Sequence, residues 1–272
     1  MRGTRPLKRW RYVGFFDERL MACVALVQIG PARQSFWAIQ CKRPGEGAAV
    51  IAREHTRLVP RRRELQLVHG RGREHAAGRE PGRVHVRDRG VDLDLWLEEE
   101  DGIEAQCRHG RGEVWTRKQA GVPARGTIAI DGGEPREVKA LAVIDDTAGH
   151  HARRTEWRWS AGVGEGPDGT ALAWNLVSGI NDPHVGSERA VWVAGEPREA
   201  PPVEFAGDLS RISCGDGSEL RFHAEWERSR RDNLLILSSD YRASFGSFSG
   251  TLPGAIPIAR GRGVVEHHRA RW

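Results

Sequence analysis

A chain of 272 residues, with 39% hydrophobic and 29% charged side chains, can bury the core of one large β domain or of two smaller ones. Its ten Trp and seven Phe argue against intrinsic disorder. Its net charge of +5 is a small difference between 42 basic and 37 acidic residues. Without a concentrated basic face or a known recognition module, we interpret the arginines as solvated surface and predict no nucleic-acid partner.

The four cysteines argue against a zinc site, because no two of them form a C-x-x-C pair. No dinucleotide fingerprint, phosphate-binding loop or G-x-S-x-G elbow is present, so we predict neither a metal nor another cofactor. The longest apolar run, LMACVALVQIG, is too short to cross a bilayer, and no secretory signal follows the basic N-terminus. We expect a cytoplasmic protein with reduced thiols and no stable membrane insertion.

Short runs with alternating apolar and polar residues are separated by turn residues along the whole chain. In order, the runs are RWRYVGFF, LMACVALVQIG, SFWAIQCK, GRVHVRDRG, VDLDLWLEE, RGTIAI, EPREVKALAVI, RISC and ELRFHAEWE. The Asp-Gly and Gly-Asp-Gly turns between them predict β-hairpins. One stretch, PRRRELQLVHGRGRE, could instead form a short helix.

This pattern predicts an all-β protein built as an antiparallel meander. There are too many strands for one small barrel, so we predict two packed barrels or half-barrels, residues 1–140 and 141–272. The junction is expected within residues 140–146.

Residues 145–164, DDTAGHHARRTEWRWSAGVG, hold the densest set of polar and aromatic side chains. Residues 151–159 alternate strictly, as in a strand. The odd positions are His151, Arg153, Thr155, Trp157 and Trp159. The even positions are almost wholly charged, so we predict that the odd face points inward.

An inward Arg153 is costly unless it is paired or contacts a ligand. Two interpretations remain open. One is an Arg–Asp clamp, made with Asp145 or Asp146, that closes the end of a barrel. The other is a mostly apolar cavity with a few polar groups, which is typical of small-molecule sites.

Three later positions are further candidates. The segment ALAWNLVSGINDP places Trp174 on one strand face and Asn175 on the other. Asp182 follows, either in a loop over a barrel mouth or in an ordinary Asp-Pro turn.

Two other segments offer candidate ligand contacts. Tyr241 lies beside small residues in DYRASFGSFSG, which indicates either close strand packing or a hollow. Trp115 and Arg117 share one face of EVWTRKQAGVPARG, where Arg117 either binds an acidic group at a barrel mouth or lies on a solvated rim. The adjacent histidine pairs point to opposite strand faces, so neither pair predicts a metal site.

Several motifs together resemble an uncharacterised bacterial family defined by a domain of unknown function. They are RWRYVGFFDERLMACVALVQIGPARQSFWA, VWTRKQAGVPARG, DDTAGHHARRTEWRWSAGVG, AWNLVSGINDP, SERAVWV and DYRASFGSFSGTLPG. That family is more distantly similar to a group with two lipocalin-like barrels, which includes carotenoid hydratase and tocopherol cyclase. The resemblance implies two lipocalin-like barrels and an apolar small-molecule ligand.

The first hypothesis is a cofactor-independent hydratase or cyclase that protonates an alkene of an isoprenoid-like substrate. Burial raises the pKa of a carboxyl group and keeps its proton available for donation. Asp146 or Asp182 would be the acid, and His151 would be its acid–base partner.

In the same hypothesis, Trp157 and Trp159 would stabilise the developing cation and Arg153 would anchor the substrate. The other ligand-binding candidates are Trp174, Asn175, Tyr241, Trp115 and Arg117. A second hypothesis is a carrier or sensor that uses the same pocket without turnover. A third is a glycan-binding sandwich or a glycosidase, which would need an open cleft with two facing carboxylates.

Overall fold

The computed structural model describes residues 5–42, 50–70, 81–234 and 237–272. Within these ranges all regular secondary structure is β-strand, arranged in two antiparallel sheets. The prediction of an all-β protein made of two packed antiparallel halves is therefore confirmed.

The first sheet has ten strands and is formed by the N-terminal half of the chain. Its strands are β1 Lys8–Phe16, β2 Leu20–Ile29, β3 Ala32–Lys42, β4 Val50–Arg57, β5 Leu65–Val68, β6 Gly82–Asp88, β7 Val91–Leu97, β8 Ile103–His109, β9 Gly112–Ile130 and β10 Arg136–Gly149. The spatial order is β4-β3-β2-β1-β10-β9-β7-β6-β5, and β8 pairs with β9. The sheet curls around a core to which both of its ends contribute, through Ile51 from β4 and Leu65 from β5.

The second sheet has nine strands and is formed by the C-terminal half. Its strands are β11 Arg154–Glu165, β12 Ala171–Ser178, β13 Ala190–Val193, β14 Glu196–Glu199, β15 Val203–Phe205, β16 Arg211–Cys214, β17 Glu219–Leu234, β18 Leu237–Leu252 and β19 Ile256–Arg271. The spatial order is β14-β13-β12-β11-β19-β18-β17-β16-β15. This sheet encloses a separate core centred on Trp174, Phe222 and Phe248.

Tight turns connect several strands as the sequence predicts. Arg89 and Gly90 join β6 to β7, and both have positive φ, of 51° and 78°. Ala194 and Gly195 join β13 to β14 in the same way, with φ of 51° and 87°. Two-residue turns with positive φ match the right-handed twist of the strands that they connect.

Two sequence-based expectations are wrong. The stretch that could have formed a helix contains β5 instead, and within residues 60–70 it has a single hydrogen-bonded turn before β5 but no helix; its last residues, 71–74, lie outside the described part of the chain. The whole of β10 belongs to the first sheet, so the chain passes between the sheets at residues 150–153 rather than within residues 140–146.

The two sheets pack against each other through the outer faces of β1, β2, β11 and β19. Strand parity separates the two sets of side chains. Val13 and Phe15 of β1 enter the first core, whereas Tyr12 and Phe16 enter the contact between the sheets. In β11, likewise, Trp159, Ala161 and Val163 face the first sheet.

Gly162 is a close-contact position in β11. A Cβ atom there would lie 2.3 Å from the Trp174 ring and 2.5 Å from the Arg262 carbonyl oxygen. We predict that Gly162→Ala lowers the free energy of unfolding by about 1 to 3 kcal/mol, because the fixed backbone and the packed indole leave no room. Thermal or urea unfolding measures the change.

The matched control is Gly207→Ala, where a Cβ would meet no atom within 4 Å. Equal stability of the two variants would contradict the packing described for Gly162.

Candidate functional site

A cavity of about 170 Å³ lies between the two sheets, not inside either of them. Its floor is a row of cross-strand neighbours on the second sheet, and consecutive members of the row are direct partners in the strand register. From β12 to β17 the row reads Val177, Trp159, Glu266, Ala243 and Arg228.

A second floor row runs parallel to the first, two residues further along each strand. It reads Trp157, His268, Tyr241 and Arg230. The rings of this row are in contact: Trp157 and His268 have centroids 4.3 Å apart, and Tyr241 and His268 have centroids 5.4 Å apart. The floor is therefore largely aromatic, with one carboxyl group in its middle.

The ceiling of the cavity comes from the first sheet. Its main row, again set by strand register, reads Phe36, Ala25, Tyr12, Asp145 and Lys118. Tyr12 meets Trp159 of the floor edge-on, with centroids 5.4 Å apart. Ala25 in the ceiling and Ala243 in the floor hold the smallest side chains of their rows, and Ala25 lines the cavity.

Glu266 is the buried carboxyl of the floor. Trp157 Nε1 donates a hydrogen bond to Glu266 Oε1 at 2.8 Å, and the Tyr241 phenol is also within hydrogen-bonding reach of the carboxyl. Burial raises the pKa of Glu266 to about 7, although both hydrogen bonds act in the opposite direction. A substantial fraction of Glu266 therefore carries a proton at neutral pH.

Lys118, Asp145 and Glu188 form a connected group of charges in the cavity. Lys118 Nζ lies 2.6 Å from Asp145 Oδ1 and 3.4 Å from Glu188 Oε1. Burial alone would lower the pKa of Lys118, but the two carboxylates outweigh it and raise the pKa. Trp10 Nε1 donates a further hydrogen bond to Asp145 at 3.1 Å.

His268 is the imidazole in the floor of the cavity. Its Nε2 lies 2.8 Å from the Ser239 hydroxyl. Burial lowers the pKa of His268 to about 3, so its ring is neutral at physiological pH. A neutral imidazole can accept or relay a proton but cannot act as a strong acid, which leaves Glu266 as the proton donor of the floor.

The predicted ligand-binding residues divide into separate groups. Trp157, Trp159 and Tyr241 line the cavity between the sheets. Asn175 lies behind its wall, where its Oδ1 accepts a hydrogen bond from Trp159 Nε1 at 2.7 Å. Trp174 lies in the core of the second sheet, where it donates to the Ser160 hydroxyl at 3.1 Å.

Three predicted residues lie at a second cavity, of about 840 Å³, at the mouth of the first sheet. They are Trp115, Arg117 and Asp146. Asp146 is held by Arg11 at 2.7 Å and by Arg117 at 2.9 Å. The predicted clamp between Arg153 and Asp146 is therefore not formed, and Arg11 and Arg117 bind Asp146 instead.

The remaining candidates do not reach the cavity between the sheets. Arg153 is exposed and precedes β11, so the prediction that it points inward is wrong. Asp182 is also exposed and accepts a hydrogen bond from Gly179 N at 2.7 Å, as in an ordinary turn. His151 is fully buried beside Trp10, at 5.1 Å between ring centroids, and burial lowers its pKa to about 3.

Glu266 was missed by the sequence analysis. The run VVEHHRARW alternates, so Val264, Glu266 and His268 share one face of β19. That alternation was a usable signal, but only the pairing of β19 with β11 and β18 shows that the face is covered.

The described ranges contain no group of three His, Cys, Asp or Glu side chains placed to hold a metal ion. They also contain no helix of the length and apolarity needed to cross a membrane.

A family model for a domain of unknown function (DUF2804) matches residues 2–272. The chain belongs to this DUF2804 family. No curated protein matches the chain at a significant level.

Two crystal structures share the fold of this DUF2804 chain. A candidate AttH protein from Nitrosomonas europaea is 13% identical with a TM-score of 0.55, and the match covers 97% of this chain and 92% of that one. Kievitone hydratase from Nectria haematococca is 11% identical with a TM-score of 0.55, and the match covers 96% of this chain and 88% of that one. At such low identity the likeness establishes the fold alone.

The raised pKa of Glu266 predicts a pH-dependent stability difference. In the unfolded chain this carboxyl ionises near pH 4.5, whereas in the folded protein it ionises near pH 7. The folded state therefore binds the extra proton in this interval, and wild-type stability falls as the pH rises through it. Glu266→Gln cannot ionise and should gain up to about 3 kcal/mol relative to wild type between about pH 4 and pH 8.

Urea unfolding at a series of pH values measures this difference, with the exposed Glu204→Gln as the matched control. Parallel pH profiles for wild type and Glu266→Gln would contradict the raised pKa.

Lys118 should be essential for stability because it compensates two buried carboxylates. We predict that Lys118→Met lowers the free energy of unfolding by about 3 to 5 kcal/mol, since Asp145 and Glu188 would be left buried without a cation. Lys139→Met, at a position that is 74% exposed, should change it by less than about 0.5 kcal/mol. Denaturant unfolding of both variants provides the comparison, and a similarly small effect at Lys118 would refute the compensation.

Proposed function

We propose that this protein is a cofactor-independent enzyme that protonates a carbon–carbon double bond of an apolar small molecule, leading to hydration or cyclisation. The observation that carries the proposal is Glu266, a buried carboxyl with a pKa of about 7 in an aromatic-walled cavity. A carboxyl whose pKa lies near the working pH is suited to general acid catalysis. The acid of the sequence-based hypothesis is thereby reassigned from Asp146 or Asp182 to Glu266.

The proposed reaction begins when Glu266 transfers its proton to one alkene carbon, which leaves a carbocation on the neighbouring carbon and a carboxylate on Glu266. In hydration, a water oxygen bonds to the cation and its excess proton returns to Glu266. In cyclisation, a nucleophilic group of the substrate takes the place of water. Both routes restore the protonated acid, so neither consumes another reactant besides water.

The aromatic side chains around Glu266 would stabilise the cation. Trp157, Trp159 and Tyr241 stand next to the acid in the two floor rows, and Trp10 lies parallel to Trp157 with an interplanar angle of 11°. Indole and phenol rings attract a cation through their quadrupoles, most strongly where water is excluded. The new carboxylate would be stabilised by the hydrogen bond from Trp157 Nε1.

The comparisons give independent support for this class of reaction. Kievitone hydratase, which shares the fold over most of its length, is by its name an enzyme that adds water to its substrate. Its low identity to this chain leaves the substrate of the present protein to be found by experiment.

The test is turnover in ¹⁸O-labelled water. Purified protein is incubated with vinylphenols and trisubstituted isoprenoid alkenes, and mass spectrometry looks for products that have gained one labelled water or have cyclised. We expect Glu266→Gln to lower the rate by about 10² to 10⁴-fold, as is usual when a general acid is lost, and Glu204→Gln to leave it unchanged.

Two results would count against this proposal. Full activity of Glu266→Gln would remove Glu266 from the chemistry. Recovery of a co-purifying apolar ligand that the wild-type protein never converts would favour the carrier hypothesis, since a carrier needs the pocket but not the acid.

A further inference from the structure

Arg228 is a second unusual charge on the cavity floor. Its side chain is only 4% exposed, and its guanidinium lies 4.3 Å from the ring centroid of Phe36 and 5.3 Å from that of Tyr241. Nη2 donates a hydrogen bond to the Thr56 hydroxyl at 2.8 Å. Among the described residues Nε has no hydrogen-bond partner, but it forms an ion pair with Glu54, whose carboxylate oxygen is 3.5 Å away.

The other cations that line the cavity are more fully compensated. Lys118 lies between two carboxylates, and Arg230 makes two hydrogen bonds of 2.8 Å with Asp232. Glu54, by contrast, pairs with Arg228 at 3.5 Å from a side chain that is 50% exposed, so solvent screens this ion pair. A buried guanidinium has five N–H donors and is costly when they are not used.

The position of Arg228 relative to Glu266 is fixed by the strand register. Arg228 pairs with Ala243, and Ala243 pairs with Glu266, so the two functional side chains stand on the same sheet face two strands apart. Neighbouring strands are about 4.8 Å apart, which places the two backbones about 10 Å apart. Ala243, which lies between them, has the smallest side chain of the row.

Tyr241 connects the two groups. Its ring lies against the Arg228 guanidinium, while its hydroxyl is within reach of the Glu266 carboxyl. Aromatic rings contact the flat faces of a guanidinium group. Its N–H groups point outward in the plane of the group, so they can still donate to an acceptor that lies in that plane. Carboxylate and phenolate oxygens match that edge best, because they carry charge and accept parallel hydrogen bonds.

We propose that Arg228 binds an anionic oxygen of the substrate, so that the substrate is a compact apolar molecule with a carboxylate or phenolate at one end. Its double bond lies at the other end, about 10 Å or less away, beside Glu266. This inference rests on the proposed function for the identity of the reacting end. The part that concerns Arg228 is a statement about binding and can be tested without turnover.

The test is isothermal titration calorimetry with two probes of equal shape, naphthalene-2-carboxylate and naphthalene-2-carboxamide. We expect the wild-type protein to bind the carboxylate more tightly than the amide. Arg228→Met should weaken carboxylate binding on the order of 30-fold or more and leave amide binding unchanged, because truncation removes a buried charge–charge contact.

Glu54→Gln supplies an independent measurement at a half-exposed position where folding is not at risk. If Arg228 is the anion site, removal of the competing carboxylate should tighten carboxylate binding several-fold and should not affect the amide. Arg231→Met, which removes an exposed arginine on the same strand, is the control for general charge effects and should change neither affinity.

The proposal is overturned if the wild-type protein does not prefer the carboxylate, whether it binds both probes equally or neither. It is also overturned if Arg228→Met weakens both probes alike, or if Glu54→Gln has no effect on the carboxylate. Arg228 would then be a structural contact of Phe36 and Tyr241.

Glu266→Gln separates this inference from the proposed function. It should keep the preference for the carboxylate, because it leaves Arg228 in place. If the wild-type protein prefers the carboxylate probe but converts no alkene, the acid chemistry alone is refuted. If it converts neutral alkenes but does not prefer the carboxylate probe, the role of Arg228 alone is refuted.

Discussion

The contact between the outer faces of the two sheets determines what the cavity contains. Each central strand sends alternate side chains into its own core and the others toward the opposite sheet. Trp159 and Tyr12 meet edge-on across this contact and hold the sheets together. Beside this contact the sheets leave a space that Ala25 lines and that is walled by aromatic rings.

Burial between the sheets has different effects on the protonation of Lys118 and of Glu266. Lys118 lies between two carboxylates, so burial leaves it charged. Glu266 accepts hydrogen bonds from Trp157 and Tyr241 but forms no ion pair with any described residue, so burial outweighs the attraction of Lys118 and favours the protonated form. The chemistry that we propose depends on this difference: Glu266 keeps its proton because burial outweighs the charges around its carboxyl, whereas Lys118 stays charged because two carboxylates flank it.

Local sequence signals were sufficient for most strands and failed where a strand begins. The alternation in residues 151–159 correctly placed Trp157 and Trp159 on one covered face. Extending it to Arg153 was wrong, because β11 starts at Arg154 and the preceding residues lie in the connection between the sheets. Asp146 was a candidate both for a catalytic acid and for the partner of Arg153, whereas its arginine partners come from β1 and β9, far away in sequence.

By itself, the sequence determined the β class, the hairpins and the side chains that share a strand face, because these depend on neighbours a few residues apart. Only the tertiary structure decided that the covered face of β11 meets the other sheet rather than a barrel interior. It also decided that Glu266 and Arg228 stand in one row with Trp159. The reason is physical: burial, and with it the pKa of a carboxyl group, depends on which distant strands pack around it.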